Sequence, residues 1–146
     1  MSTPELRAAR PADVDEVLRL WETAAENTDR AADHRDAVVA LLDRDPGALI
    51  LAVEDREVIG SVIAGWDGWR AHLYRLAVRP DRRRRGVARA LLDAAHERLA
   101  QLGATRLDAM VLEANSDGRQ LWHRAGYARQ EHWRRWVRPV RRSGAG

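Results

Sequence analysis

The chain has 146 residues, a formal net charge of +3, no cysteine and no phenylalanine. This length is enough for one domain with a sizeable core. The lack of cysteine excludes disulfides, thiolate metal sites and a cysteinyl-enzyme intermediate. Its 25 basic side chains are all arginine, and so small a net charge is no argument for nucleic-acid binding.

No stretch of the sequence predicts a targeting or membrane segment. Residues 1–10 lack an apolar run, and no stretch approaches the ~20 apolar residues that span a bilayer. We therefore expect no signal peptide and a cytoplasmic protein. Residues 1–138 are expected to form a single domain, and residues 139–146 a flexible C-terminal tail.

The first half of the chain predicts a strand, two helices and a hairpin. Asp13 and Glu16 have capping-box spacing, which predicts the start of the first helix. The apolar run at 48–53 is typical of a strand covered on both faces, and Asp55-Arg56 makes its hairpin turn. The predicted elements are a strand over 6–9, helices over 13–27 and 36–44 with a loop over 28–35 between them, and strands over 48–53 and 57–66.

The second half centres on a strand over residues 72–78, where branched and aromatic side chains run unbroken towards Pro80. From Gly86 onward the apolar residues recur at helical spacing. The predicted elements are this strand, a helix over 86–102, a strand over 106–112, a helix over 117–125 and a last strand over 127–137. The order β-α-α-β-β-β-α-β-α-β predicts an α/β (α+β) fold, a mixed sheet flanked by helices.

The junction between the central strand and the third helix suits a phosphate. The first amides of a helix lack internal partners, and the helix dipole favours negative charge there. Gly86 and Ala88 leave the backbone open, and the arginines at 82–85 add cations beside it. We interpret this junction as a site for a pyrophosphate or other di-anion, although an arginine run is equally typical of a solvated basic face.

The spacing Arg83-x-x-Gly86-x-Ala88 matches the Gln/Arg-x-x-Gly-x-Gly/Ala element of the GNAT acyltransferases, and the preceding Leu76-Ala77-Val78 resembles their lead-in strand. Asn115 followed by LWHRAGY at 121–127 resembles the family's N-x(5–6)-L-Y-x-x-x-G-F/Y element. The turn GWDG at 65–68 is similar to that of small bacterial members of the YpeA type. These motifs occur in the family's order.

The resemblance implies an acetyl-CoA-dependent N-acetyltransferase that moves an acetyl group directly to a primary amine of a small molecule or peptide, without a metal. In this family the fourth and fifth strands splay apart and acyl-CoA enters the gap, where free main-chain groups suit the amide-rich pantetheine arm. The residues that the resemblance assigns to acetyl-CoA are Leu76, Ala77, Val78, Arg83, Arg84, Arg85, Gly86, Val87, Ala88, Arg89, Asn115 and Trp122.

Acyl transfer to an amine needs a donor for the developing oxyanion and a base for the ammonium proton. By resemblance the donor is the main-chain amide of Val78. The family's base is often a glutamate four residues before the position of Leu76, which in this chain is His72. Alternation predicts His72, Tyr74 and Leu76 on one face, and a neutral imidazole accepts protons at physiological pH. If His72 merely ends the strand, Tyr74 or a water relayed from Asp67 is the next candidate.

The position of the family's acidic tyrosine is occupied by Trp122. An indole N–H donates a hydrogen bond but is not a usable acid, so we expect Trp122 to pack against the cofactor arm. The thiol of CoA is acidic enough to leave as a thiolate, and Tyr74 or Ser116 is an alternative proton donor. Asn115 suits a pantetheine amide, but an ordinary helix N-cap explains it equally well.

The acceptor pocket is expected between the loop that joins the first two helices, the turn at 66–70 and the last strand. Carboxylates beside indole faces suit a cationic amine, although several of these tryptophans must fill the core of a chain without phenylalanine. The residues concerned are Asp29, Asp33, Asp67, Trp66, Trp69, Trp133 and Trp136.

Two other functions stay open on the sequence alone. One is a catalytically weak acyl-CoA sensor, suggested by Trp122; the other is a nucleic-acid-binding module that uses the arginines at 82–85 and 134–142. No aromatic-basic RNA motif supports the second. The family closes its sheet with a two-strand hairpin, whereas residues 127–137 leave room for one strand. We therefore expect a sheet that ends early or a homodimer that completes it.

Overall fold

The computed structural model describes residues 3–24, 32–113 and 115–140. The strands are β1 (Glu5–Ala8), β2 (Leu49–Glu54), β3 (Glu57–Trp66), β4 (Ala71–Val78) and β5 (Leu107–Ala109), and the helices are α1 (Val14–Ala24), α2 (Arg35–Arg44), α3 (Val87–Gln101) and α4 (Ser116–Arg124). The sheet has the order β1-β2-β3-β4-β5. β1 to β4 are antiparallel to one another, and β5 is parallel to β4. The predicted mixed α/β architecture is confirmed.

Helices cover both faces of the sheet, as the apolar run of β2 predicts. On one face, α1 and α2 pack through a buried cluster that includes Val17, Trp21 and Leu51. On the other face, α3 packs through a second cluster that includes Leu91 and Leu92. We call these the α1–α2 cluster and the α3 cluster. The two faces of β4 therefore lead to two different sides of the molecule.

The predicted capping box at the start of α1 is wrong. The carboxylate of Asp13 accepts from the amide of Arg10 (2.8 Å) and from the side chain of Arg7 (2.7 Å), and its pKa is lowered chiefly by Arg7. Glu16 instead accepts from the amide of Val58 (2.7 Å), which ties α1 to β3. The predicted end of this helix near residue 27, and part of the loop over 28–35, lie outside the described residues.

β4 contains one residue more than the stretch of β3 that it faces. Ser61 pairs with Ala77, whereas Ile63 pairs with Tyr74, so the register shifts between the two pairs. Arg75 lies at the shift and has a left-handed φ of 53°. Such a β-bulge inserts one unpaired residue, and a one-residue shift moves the side chains beyond it to the opposite face.

β4 and β5 separate after three residue pairs. Residues 71–73 of β4 pair with residues 107–109 of β5, and residues 74–78 continue without a partner in β5. The fifth strand is thus shorter than the predicted 106–112. The early end of this pairing agrees with the expectation that the fourth and fifth strands splay apart, and we call the space beside residues 74–78 the β4–β5 gap.

The last strand predicted over 127–137 is wrong. Residues 128–140 contain neither helix nor strand and are exposed throughout. Their large apolar side chains lie at 133, 136, 137 and 140, a spacing that gives a strand no apolar face. In addition, Pro139 has no amide proton for a ladder. Of the predicted tail, residues 141–146 lie outside the described residues.

Candidate functional site

The main chain of β4 offers free amides to the β4–β5 gap. The amide of Arg79 donates to the carbonyl of Ile59 in β3 (2.8 Å). Because the N–H groups of an antiparallel strand point alternately to its two sides, the amide of Val78 points away from β3 and into the gap. The amide of Leu76, two residues earlier, points the same way. These two amides lie where the family's acyl donor is expected.

Gly86 shapes the entrance to α3 at the end of this gap. It is the N-cap residue and has a left-handed φ of 81°, which glycine adopts readily. A side chain there would meet no atom within 4 Å, so the approach to the helix is open. The amides of Val87, Ala88 and Arg89 belong to the first helical turn and have no partners within the helix. The helix dipole adds partial positive charge at the same place.

Two arginines of the loop before Gly86 hold the loop in position. Arg82 donates to Glu54 of β2 (2.9 Å). Arg83 donates to the carbonyl of Val78 (3.1 Å) and to that of Ala24 at the end of α1 (3.3 Å). These side chains brace the loop against the sheet and α1, a role that the arginine spacing does not predict.

The remaining arginines differ in whether their side chains are bonded to other groups of the protein. Arg84 and Arg85 are exposed, and within the described part of the chain they make no ion pair. Arg89 donates to Asp93 (3.1 Å) and to the carbonyl of Arg124 (3.3 Å), which links α3 to α4. Arg84 and Arg85 are therefore the cationic side chains best placed to take an anion.

His72 and Tyr74 share one face of β4, but Leu76 does not. Leu73 and Leu76 both pack against the α3 cluster, because the bulge at Arg75 reverses the alternation. The prediction that His72, Tyr74 and Leu76 lie on one face of the strand is wrong for Leu76. His72 and Tyr74 face the side of the molecule that carries α1 and α2.

His72 lies beside a carboxylate of the neighbouring strand. Its Nδ1 is 3.7 Å from Oδ2 of Asp108, with which it is in register. Asp67, in the turn before β4, accepts from the amides of Arg70 (2.6 Å) and Trp69 (2.8 Å), and these bonds lower its pKa. His72 thus has a carboxylate partner that its position in the sequence did not reveal.

Tyr74 packs over Gly65 of β3. A Cβ added at Gly65 would lie 3.3 Å from the tyrosine hydroxyl. Burial raises the pKa of Tyr74, so its hydroxyl is protonated at neutral pH. This favours Tyr74 as a proton donor over Tyr74 as a base.

The two residues predicted to contact pantetheine from α4 have structural partners. Asn115 is the N-cap residue, and its Oδ1 accepts from the amide of Gly118 (2.9 Å). Trp122 is 9% exposed and packs edge-on against Tyr127, with ring centroids 4.8 Å apart. Trp122 is therefore a core residue, and it does not present an exposed ring surface to the cofactor arm. Ser116 is exposed at the first position of α4.

Tyr127 also forms a hydrogen bond that the sequence pattern did not indicate. Its hydroxyl lies 2.8 Å from Nε2 of His96 on α3. Burial raises the pKa of Tyr127 to about 12 and lowers that of His96. Tyr127 belongs to the second sequence motif, but its partner lies 31 residues away, and no local signal joins the two.

The residues predicted for the acceptor pocket do not converge within the described part of the chain. Asp33 binds Arg75, Asp67 stabilises its own turn, and Trp66 packs against the α3 cluster. Trp69 is 86% exposed. Trp133 and Trp136 lie on the irregular C-terminal segment, and Asp29 lies outside the described residues. The acceptor site is therefore better sought at the face of β4 that carries His72 and Tyr74.

Neither a metal centre nor a membrane span is found in the ranges that the structure describes. No group of three histidines or carboxylates there could hold a metal ion. No described helix is long and apolar enough to cross a membrane.

Comparison with known proteins agrees with this geometry. A sequence profile of the Acetyltransferase (GNAT) family matches residues 12–127. An acetyltransferase of Sodalis glossinidius is 32% identical over 130 residues, which cover 87% of this chain and 89% of that protein. The profile match over residues 12–127 includes strands β2 to β5, the β4–β5 gap and the helix that begins after Gly86.

Solved structures show the same fold. The crystal structure of Ard1 from Thermoplasma volcanium matches with a TM-score of 0.76 at 19% identity, covering 87% of this chain and 84% of that one. The diaminobutyrate acetyltransferase EctA of Paenibacillus lautus, solved with L-2,4-diaminobutyric acid and coenzyme A, matches with a TM-score of 0.72 at 19% identity, covering 85% and 75%.

Proposed function

The chain belongs to the GNAT family of acetyltransferases, and from this premise we propose that it transfers the acetyl group of acetyl-CoA to a primary amine. Enzymes of this kind are N-acetyltransferases, and the family membership makes this chain one of them. The identity of the acyl donor, the identity of the acceptor and the roles of the catalytic residues are what we propose here. We also propose a cytoplasmic location.

The observation that carries the proposal is the continuity of free main-chain donors along the β4–β5 gap. The amides of Leu76 and Val78 face the gap, and the open first turn of α3 follows at Gly86. Pantetheine carries amides that pair with exposed strand groups, and a pyrophosphate suits a helix N-terminus. One extended ligand with both groups fits this path, with Arg84 and Arg85 beside its phosphates.

The roles in catalysis follow from the positions of the side chains. The amide of Val78 is a fixed dipole for the oxyanion that forms when the amine attacks the thioester carbonyl. His72 accepts a proton from the ammonium group of the acceptor, directly or through one water, and the free amine then attacks. Tyr74, protonated at neutral pH, stands on the same face and gives a proton to the leaving thiolate. No contribution from Trp122 is needed, because the CoA thiol leaves readily as a thiolate.

The proposed acceptor is a small molecule or a peptide with a primary amine. The EctA neighbour was solved with the diamine L-2,4-diaminobutyric acid as its substrate, which supports this class. The carboxylates of Asp67 and Asp108 near His72 attract a cationic amine to the same face.

The test is a panel of small-molecule and peptide amines incubated with acetyl-CoA, in which release of free CoA thiol is measured. Turnover of at least one amine that is abolished in the absence of enzyme is the expected result. Tight acetyl-CoA binding without turnover of any amine would favour the acyl-CoA sensor instead. Binding of nucleic acid that persists in excess CoA and weakens steeply with salt would favour the nucleic-acid-binding module.

We also propose that the chain forms a homodimer. β5 has only three residues, and the exposed segment at 128–140 contains Trp133, Trp136 and Val137, which are 73%, 94% and 75% exposed. A second copy that buries these side chains removes a large apolar surface from water. The partner proposed for this segment is therefore another copy of the same chain.

A further inference from the structure

Ser61 is the one fully buried polar side chain among the described residues, and it lies directly beside the bulge in β4. Its hydroxyl donates to the carbonyl of Arg75 (2.8 Å) and accepts from Nε1 of Trp21 on α1 (2.8 Å). Trp21 is 2% exposed. A chain of hydrogen bonds therefore runs from α1 through β3 to the bulged residue, although Trp21 and Ser61 are 40 positions apart.

The side chain of Arg75 is held from the same direction. Its Nε and Nη2 donate to Oδ1 of Asp33 (3.1 Å and 3.0 Å), and the guanidinium lies 5.8 Å from the ring centroid of Trp21. Arg75 is not a glycine, asparagine or aspartate, the residues that adopt a left-handed φ most readily. Its conformation is therefore imposed by its surroundings, in which Ser61 binds its main-chain carbonyl and Trp21 holds the Ser61 hydroxyl.

The bulge determines which amides of β4 face the gap. With one extra residue at Arg75, the amides of Tyr74, Ala77 and Arg79 point to β3, and those of Leu76 and Val78 point to the gap. In an unbulged strand the alternation continues from Tyr74, so that Leu76 and Val78 would donate to β3 instead. The gap would then lose the two donors on which acyl-donor binding depends.

We propose that Ser61, supported by Trp21, is a positioning residue that clamps Arg75 in the left-handed conformation and so directs the amides of Leu76 and Val78 into the acyl-donor site. The inference deepens the proposed function and rests on it for the identity of the ligand. It concerns the main chain of β4, which is observable without any ligand.

The first test uses the ligand-free protein. Amide hydrogen exchange followed by NMR should show slow exchange at Ala77 and Arg79 and faster exchange at Leu76 and Val78. In Ser61→Ala the ratio between the exchange rates of these two pairs of amides should fall at least tenfold. A Ser61→Ala protein that keeps the wild-type contrast would overturn the proposal. Because no acceptor is needed, this result is independent of whether any amine is acetylated.

The second test covers the case in which Ser61→Ala does not fold, since it removes a buried hydroxyl that bonds to both Trp21 and Arg75. Arg75→Gly and Arg75→Val both remove the guanidinium, but only valine opposes a left-handed φ. Arg75→Gly should bind acetyl-CoA within threefold of wild type by calorimetry, and Arg75→Val at least tenfold more weakly. Equal affinities for the two variants would overturn the clamp, whereas failure of the wild-type chain to bind acetyl-CoA would contradict the proposed function alone.

Discussion

Nδ1 of His72 lies 3.7 Å from Oδ2 of Asp108, across the parallel pair formed by β4 and β5. Both side chains are nearly half exposed, at 46% and 41%, so the imidazole has a charged neighbour and still meets solvent. A carboxylate beside a histidine orients the ring and stabilises the imidazolium that forms when it accepts a proton. The pair is the second of the three residue pairs that join the two strands, one pair before the β4–β5 gap.

We predict that His72→Ala lowers kcat about 100-fold and changes the KM for acetyl-CoA little, because the base acts on the amine and not on the donor. Steady-state kinetics with the best amine of the panel measure both.

Asp108→Asn should lower kcat less than His72→Ala does, because it removes the orienting charge and leaves the base. Asp43→Asn, which changes an exposed carboxylate on α2, is the matched control and should be neutral. A His72→Ala enzyme with wild-type kcat would remove His72 from the mechanism and leave a water relayed from Asp67 as the candidate.

We predict that Gly86→Glu weakens acetyl-CoA binding at least tenfold, about 1.4 kcal/mol, because a negative side chain then stands at the proposed pyrophosphate site. Calorimetric titration with acetyl-CoA measures the effect. Gly103→Glu is the matched control, since Gly103 also has a left-handed φ and open space around it but lies beyond the other end of α3. It carries the same backbone strain and should bind acetyl-CoA normally. Equal affinities of the two variants would show that the phosphate does not bind at Gly86.

Most of the architecture was predictable because it depends on local patterns. β3 has the predicted bounds of 57–66, since its apolar run is flanked by a turn at each end. The helix that begins after Gly86 follows from its 3.6-residue period. The loop proposed to bind phosphate combines a glycine, a strand end and a helix start, which are all close together in the sequence.

The bulge and its consequences were not predictable in this way. Arg75 has no intrinsic preference for a left-handed φ. Ser61, which binds its main-chain carbonyl, and Trp21, which binds Ser61, come from distant parts of the sequence. Leu76 was consequently assigned to the wrong face. The pairing of His72 with Asp108 likewise depends on the register of two strands separated by α3. The strand predicted over 127–137 is wrong for a related reason. Its β-branched and aromatic residues favour a strand, but they form one only where a neighbouring strand edge pairs with them.

We predict that the chain is a homodimer at micromolar concentration and that light scattering gives twice the monomer mass of 16.5 kDa. The exposed tryptophans at 133 and 136 provide the apolar contact. Replacing both by aspartate should yield a monomer, because buried carboxylates without partners oppose association. Trp69→Asp changes a tryptophan that is 86% exposed elsewhere and should leave the mass unchanged. A monomeric wild-type chain would reject the dimer.

The last prediction concerns the hydrogen bond between His96 and Tyr127, which joins α3 to the segment after α4. Burial lowers the pKa of His96 below its ordinary value of 6.5, so the folded state prefers the neutral ring. The unfolded chain takes up the proton at a higher pH than the folded chain does. The contribution of His96 to the free energy of unfolding is therefore fully present above about pH 6.5 and is lost as the pH falls below it.

Urea unfolding at a series of pH values between about 5 and 8 measures this dependence, because it spans the range in which histidine titrates. His96→Gln should reduce the loss of stability on acidification, and His123→Gln, at an exposed position of α4, should not. Tyr127→Phe should lower the free energy of unfolding by about 1 kcal/mol at neutral pH through the lost hydrogen bond. It should retain the acid dependence, since burial is the first cause of the shift at His96. If His96→Gln and the wild-type chain lose stability in parallel below about pH 6.5, other groups than His96 carry the acid dependence.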